Sequence, residues 1–119
     1  MTESKNDCVF CKIVKGEIPT KRIYENTNFI AFPDANPRVR GHSLVMPKKH
    51  VEDFLGLDKE YGESLVDAIK NTAKKVMKDN RAKGFNIINN NSRVAGQIVE
   101  HLHFHIIPRK EGDSVRVLG

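Results

Sequence analysis

The stretch His101-Leu102-His103-Phe104-His105-Ile106-Ile107 decides how this chain is read. Three of the five histidines in the 119-residue sequence fall there, at every second position. Side chains alternate between the two faces of a β-strand. One face therefore carries His101, His103 and His105, and the other Leu102, Phe104 and Ile106. An ordinary core strand has little use for three imidazoles. The pattern predicts a strand with its apolar face on a core and its imidazole face on a site.

Working outward, residues 89–96 read as a polar loop before this strand, and residues 85–88 as a preceding strand that follows Gly84. A long helix is expected from Asp58, its N-cap, to the closing Gly84. Tyr61, Leu65, Ala68, Ile69, Thr72, Ala73 and Val76 form one stripe along it at i, i+4, i+7, i+8 spacing. Residues 51–55 read as a short helix. Residues 42–47 read as a strand stopped by Pro47, and residues 33–41, with two prolines and a glycine, as a loop. Residues 29–32 and 21–25 read as strands joined by the turn Asn26-Thr27-Asn28. Residues 8–16 read as a short helix with Asp7 as N-cap and Gly16 as C-cap glycine. Residues 1–7 and the tail carry no clear pattern. Five strands in runs with few helices make an α+β domain with a mostly antiparallel sheet.

The length suits one domain over residues 1–119, with its core at about 7–109 and a tail at 110–119. No apolar run approaches the roughly 18 residues that span a membrane. Residues 1–7 are polar, without the apolar centre of a signal peptide, so a cytoplasmic protein is expected. The net charge of +5 suits phosphate-bearing partners. The lysines from Lys70 to Lys83 lie at helical spacing without interleaved aromatics. They read as a solvated helix face rather than a nucleic-acid surface, so nucleic acid is not an expected partner.

Three histidines on one strand face suggest a metal or a phosphate. Same-face neighbours stand roughly 6–7 Å apart, at a rise of about 3.3 Å per residue. That spacing prevents three of them from easily reaching one ion through bonds of about 2.1 Å. The other reading is an anion site, with one imidazole as nucleophile and another as donor, since histidine serves as either near neutral pH. Cys8 and Cys11 form a Cys-x-x-Cys pair, which in a reducing compartment points to half a metal site or a redox pair.

Histidines at alternate positions followed by two apolar residues resemble the signature of the histidine triad (HIT) family. The likeness continues in Phe10-x-Lys12-Ile13, Gly16-Glu17-Ile18-Pro19, Phe32-Pro33-Asp34, His42-Ser43-Leu44-Val45-Met46-Pro47-Lys48-Lys49-His50, Asn90 and Gly96-Gln97. It is nearest to the nucleotide-binding branch with its microbial, zinc-containing members. The resemblance implies a HIT-like fold whose five-stranded sheet pairs in a homodimer to make ten strands.

It also implies a purine nucleotide substrate of AMP or GMP type and a hydrolase acting at the α-phosphate of nucleoside phosphoramidates. His103 would be the nucleophile, forming a covalent nucleotidyl-histidine, and His105 a donor to the phosphate. Asn90, Gly96 and Gln97 would contact ribose or phosphate, Asp34 the ribose hydroxyls, and Phe10, Ile13 and Phe32 the base. Cys8, Cys11, His50 and His101 would hold a structural zinc. Ile98 stands where many members carry Ser or Thr, which removes a hydroxyl from the phosphate or leaving group. The tail lacks the tryptophan of the animal members, and Pro108-Arg109-Lys110 resembles the dinucleoside polyphosphate hydrolase branch. That hydrolysis, or nucleotide-dependent regulation with incidental catalysis, is the alternative activity.

Overall fold

The computed structural model describes residues 5–117; residues 1–4 and 118–119, parts of the two termini just discussed, lie outside the described residues. The elements in chain order are α1 (Val9–Val14), β1 (Tyr24–Glu25), β2 (Phe29–Pro33), β3 (Ser43–Pro47), α2 (Gly62–Asn80), β4 (Gly84–Ile88) and β5 (Phe104–Arg109). Short 3-10 turns lie at Phe54–Gly56, Lys59–Tyr61 and Arg93–Ala95. The strands form one antiparallel sheet in the order β1-β2-β3-β5-β4. The expected α+β class and five strands are what the chain adopts.

The sheet is covered on both sides. Phe29, Ala31, Val45, Phe104 and Ile106 pack with Leu65, Ala68, Ala73 and Val76 of α2. The alternate residues Ile30, Phe32, Leu44 and Met46 pack with Phe10 and Ile13 of α1. β2 and β3 are therefore apolar on both faces, which explains why they read as unbroken hydrophobic runs rather than alternating ones. Helix α1 is only six residues long and covers one end of its face. Where it stops, His103 and His105 line an open cavity.

Several boundaries differ from expectation. Cys8, not Asp7, caps α1: its Sγ accepts from the Cys11 N–H at 3.4 Å. Gly16 follows the helix at φ +83°, the left-handed conformation expected of a C-cap glycine. Asp58 opens the 3-10 turn Lys59–Tyr61, and the α-helix proper begins at Gly62. That helix ends at Asn80, where Arg81 turns left-handed at φ 53°, and Gly84 is the first residue of β4. The segment read as a helix at 51–55 forms only a 3-10 turn at Phe54–Gly56. The first strand shrinks to Tyr24–Glu25.

The most informative difference concerns the histidine stretch. β5 starts at Phe104, so His101 to His103 lie before the ladder. They bond elsewhere: Leu102 N–H donates to Val51 O at 2.6 Å, and the Asn89 amide donates to His103 O at 2.9 Å. The face alternation still holds, with Leu102 and Ile106 fully buried and Phe104 nearly so. The lysines of α2 at 70, 74, 75 and 78 are exposed, as a solvated face requires.

Candidate active site and metal centre

The cavity on the α1 side has a volume of about 610 Å³. It brings together Phe10, Ile13, Phe32, Asp34, Asn90, Gly96, His103 and His105 from positions spread over the whole chain. Phe10 and Phe32 meet edge-on with ring centroids 6.0 Å apart, and Phe10 stands 5.2 Å from the His103 ring. One end is thus apolar and aromatic, suited to a flat heterocycle. The other end carries imidazoles and a carboxylate.

Hydrogen bonds settle how the imidazoles face this space. The Nδ1 of His103 lies 2.7 Å from the backbone carbonyl of His101. A carbonyl only accepts, so Nδ1 carries the hydrogen and neutral His103 keeps its lone pair on Nε2. The backbone N–H of Arg38 donates to His42 Nδ1 at 2.9 Å. The hydrogen of neutral His42 is therefore on Nε2, which lies 2.9 Å from His105 Nδ1. His105 Nδ1 accepts, and its own hydrogen sits on Nε2. Neighbouring histidines thus present opposite groups to the cavity: a lone pair on His103 Nε2 and a hydrogen on His105 Nε2.

Charge follows the same logic. Burial pushes His103 below the ordinary histidine range, opposed by its bond to the His101 carbonyl and by Asp34. Burial, with His103 and His42 adding to it, holds His105 down to about 4. His42 is lowered by burial, with Asp34 opposing. The Asp34 carboxylate stands 3.3 Å from His42 Nε2 and 3.7 Å from His105 Nδ1. Its other oxygen accepts from the Asn36 N–H at 2.9 Å, which fixes the start of the loop after β2.

Gln97 is the exception among the expected site residues. It does not line the cavity. Its amide donates to Glu52 O and Val99 O at 2.7 and 3.0 Å and accepts from Ser92 N–H at 2.7 Å. Both donor hydrogens are committed to the backbone, so its contribution is to hold the loop that presents Gly96. Conversely, His42 had no role assigned from the sequence, although it lines the cavity and orients His105. The available signal was arithmetic: once four histidines had been placed on the triad and the metal, His42 was the fifth.

Cys8, Cys11, His50 and His101 gather on the far side of Phe10, their ligating atoms all within 4.8 Å of one another. Sulfur-to-Nδ1 separations are 3.5 Å for Cys8–His101, 3.5 Å for Cys11–His101 and 3.3 Å for Cys11–His50. A tetrahedral zinc with bonds of about 2.3 Å to sulfur and 2.0 Å to nitrogen sets its S···N edges at roughly 3.6 Å. His101 Nε2 is held 2.8 Å from Pro47 O, so its Nδ1 lone pair points at the sulfurs. Burial holds His101 down to about 4, which leaves that lone pair free at neutral pH. Two thiolates and two imidazoles converging without an open position fit a closed structural zinc site.

The HIT domain model matches residues 15–112. An uncharacterized HIT-like protein of Methanocaldococcus jannaschii is 54% identical over 107 residues, covering 90% of this chain and 82% of that one. The adenosine 5′-monophosphoramidase of Schizosaccharomyces pombe is 40% identical over 102 residues, covering 86% and 74%. The crystal structure of a zinc-bound histidine triad family protein from Mycobacterium smegmatis superposes with a TM-score of 0.86 at 38% identity, covering 92% of this chain and 80% of that one. The chain belongs to the HIT family, as its sequence motifs implied.

Proposed function

We propose that this protein is a nucleotidyl hydrolase that cleaves purine nucleoside phosphoramidates through His103. The observation that carries this reading is the pair of opposed tautomers: His103 Nδ1 on the His101 carbonyl and His105 Nδ1 on His42 Nε2. A relative 40% identical bears the name adenosine 5′-monophosphoramidase, which supports the substrate class.

The base lies between Phe10, Ile13 and Phe32, and Asp34 accepts from the ribose hydroxyls. Asn90 and the backbone beside Gly96, which sits at φ +97°, face the phosphate. His103 Nε2 attacks the α-phosphorus and an N–P bond forms. The bond to the leaving group breaks, and its electron pair departs with that group, which takes a proton from water where it needs one. His105 Nε2–H meets the charge that builds on the phosphoryl oxygen. Water then attacks phosphorus and the pair of the P–N bond returns to Nε2. The nucleoside monophosphate is released, and the surplus proton of the water goes to solvent. Two modest barriers replace one high barrier.

Cys8, Cys11, His50 and His101 would hold a zinc ion, which would supply a cross-link between α1 and the segments after β3 and before β5, not chemistry. Two chains pair as a homodimer through β4, whose edge is free in the sheet order and whose Phe85 and Ile87 are 40% and 51% exposed. No helix among the described residues is long and apolar enough to cross a membrane, in keeping with a cytoplasmic enzyme.

The test is His103→Ala assayed on adenosine phosphoramidate. Turnover is expected to fall by at least about a thousandfold, with AMP binding by calorimetry kept within a few-fold. Wild-type turnover in that variant would overturn the assignment. Native mass spectrometry of the wild-type chain would report dimer mass and zinc together.

A further inference from the structure

The loop between β2 and β3, residues 34–42, forms the rim of the cavity beside Asp34. Asp34 and Arg38 both line the cavity, four residues apart on that loop. Their charges are not spent on each other. Asp34 faces the Asn36 N–H and the nitrogens of His42 and His105, and no ion pair within 4 Å joins it to the Arg38 guanidinium. Arg38 is held by its main chain, whose N–H donates to His42 Nδ1. Among the described lining residues Arg38 is the one Lys or Arg. A second, smaller cavity of about 260 Å³ lies on the α2 side of the same loop. Pro33, Asp34 and His42 line both cavities, and Lys21 and Lys75 line the smaller one. Arg40 lies on the loop itself. Among the described residues of the loop and the two cavities, the cations Lys21, Arg38, Arg40 and Lys75 therefore stand against the carboxylates Asp34 and Asp79.

A carboxylate suits the free hydroxyls of a ribose, whereas an arginine nearby accommodates a phosphate ester on one of them. This rim carries both. Resting on the nucleotide placement proposed above, with the ribose on Asp34, we infer that Arg38 binds a second phosphate carried by the ribose at its 2′ or 3′ oxygen. The cavity then prefers nucleoside bisphosphates, and conjugates built on them, over nucleotides with two free ribose hydroxyls. Asp34 keeps the hydroxyl that stays free, since a carboxylate only accepts and a phosphate ester offers it no hydrogen. The guanidinium presents a planar fork that matches two phosphate oxygens. Lys21, Arg40 and Lys75 make the potential around the loop more positive, which offsets the repulsion between Asp34 and the added phosphate. The 5′-phosphate stays at His103 and His105, so the bonds made and broken at the α-phosphorus are those already described. An exposed guanidinium is screened by water, so the gain is expected to be on the order of tenfold in affinity rather than a hundredfold.

Titration calorimetry on the full chain compares three ligands: AMP, adenosine 2′,5′-bisphosphate and adenosine 3′,5′-bisphosphate. At least one bisphosphate is expected to bind on the order of tenfold tighter than AMP, and the preferred isomer reports which hydroxyl Arg38 faces. In Arg38→Gln the ratio of affinities should fall to about one, because a neutral amide makes no charge-assisted bond. In Arg38→Lys part of the preference should remain, since the charge is kept and the fork is lost. Two results overturn the subsite. One is that neither bisphosphate binds tighter than AMP. The other is a preference that survives Arg38→Gln, which would be the general attraction of a chain of net charge +5 for anions. Loss of the hydrolase reading is seen separately: a wild-type protein that binds all three ligands but never turns over adenosine phosphoramidate overturns that reading and leaves the ratio standing. Failure to bind AMP at all overturns both.

Discussion

The backbone carbonyl of His101 accepts from Nδ1 of His103 at 2.7 Å, while the imidazole of the same His101 faces the sulfurs of Cys8 and Cys11. One residue thus belongs both to the cysteine–histidine cluster and to the support of His103. Phe10, between the two cysteines, touches both rings, with centroids 5.8 Å from His101 and 5.2 Å from His103.

Stripping the metal should therefore affect stability and nucleotide binding together. Only the folded chain presents four converged donors, so zinc at a hundredfold over its dissociation constant adds about 2.7 kcal/mol. Chelation is expected to lower the melting temperature by several degrees and to weaken AMP binding, because α1 carries Phe10 and Ile13. Scanning calorimetry with and without chelator, followed by zinc readdition, measures this. A melting temperature indifferent to zinc would remove the metal from the account.

His42 Nε2 lies 2.9 Å from His105 Nδ1, so in the proposed mechanism His42 acts through His105. Removing it leaves His105 Nδ1 without its donor and lets the ring rotate or change tautomer. In His42→Ala, kcat should fall on the order of a hundredfold, the scale of a small misplacement near the reacting atoms. KM should change far less, since the base contacts are untouched and Asp34 keeps its bond from the Asn36 N–H. Steady-state kinetics that showed the loss in KM alone would contradict this role.

The buried imidazoles make stability depend on pH with a definite sign. His105 is held to about 4 against an ordinary 6.5, and His42 and His103 are lowered as well. Between those values the unfolded chain binds more protons than the folded one, so acid favours unfolding. The stabilisation is fully present above about pH 6.5 and is lost as pH falls toward 4. Urea unfolding at a series of pH values should show this decline, and His105→Asn should make it shallower, the remaining slope coming from the other lowered histidines.

Gly41, just before His42, has φ +93°. A Cβ there would stand 2.3 Å from Asn80 Nδ2, which is itself bonded to Val76 O, and 3.1 Å from Pro108 Cγ. Gly41→Ala should cost about 1–3 kcal/mol from backbone conformation alone, visible as a lower urea midpoint at unchanged slope.

Much of the protein was legible in one dimension. Period-two alternation assigned Leu102, Phe104 and Ile106 to the core and the histidines to the opposite face, because a strand has no third direction for a side chain. The stripe on α2 did the same for Leu65, Ala68, Thr72, Ala73 and Val76, all of which are buried. Motif likeness brought Phe10, Phe32, Asp34 and Asn90 to one cavity that no periodicity reveals. Tertiary structure decided the rest. His101 to His103 leave the ladder because Val51 and Asn89 offer their bonds from distant segments, and Gln97 turns inward because Glu52 and Val99 present carbonyls to it. The tautomer of His105 depends on His42, 63 residues earlier, and on an Arg38 backbone N–H. Sequence alone sets which face a side chain takes, since that follows from local geometry. Where a hydrogen sits on an imidazole is set by whichever donors and acceptors the folded chain brings within 3 Å.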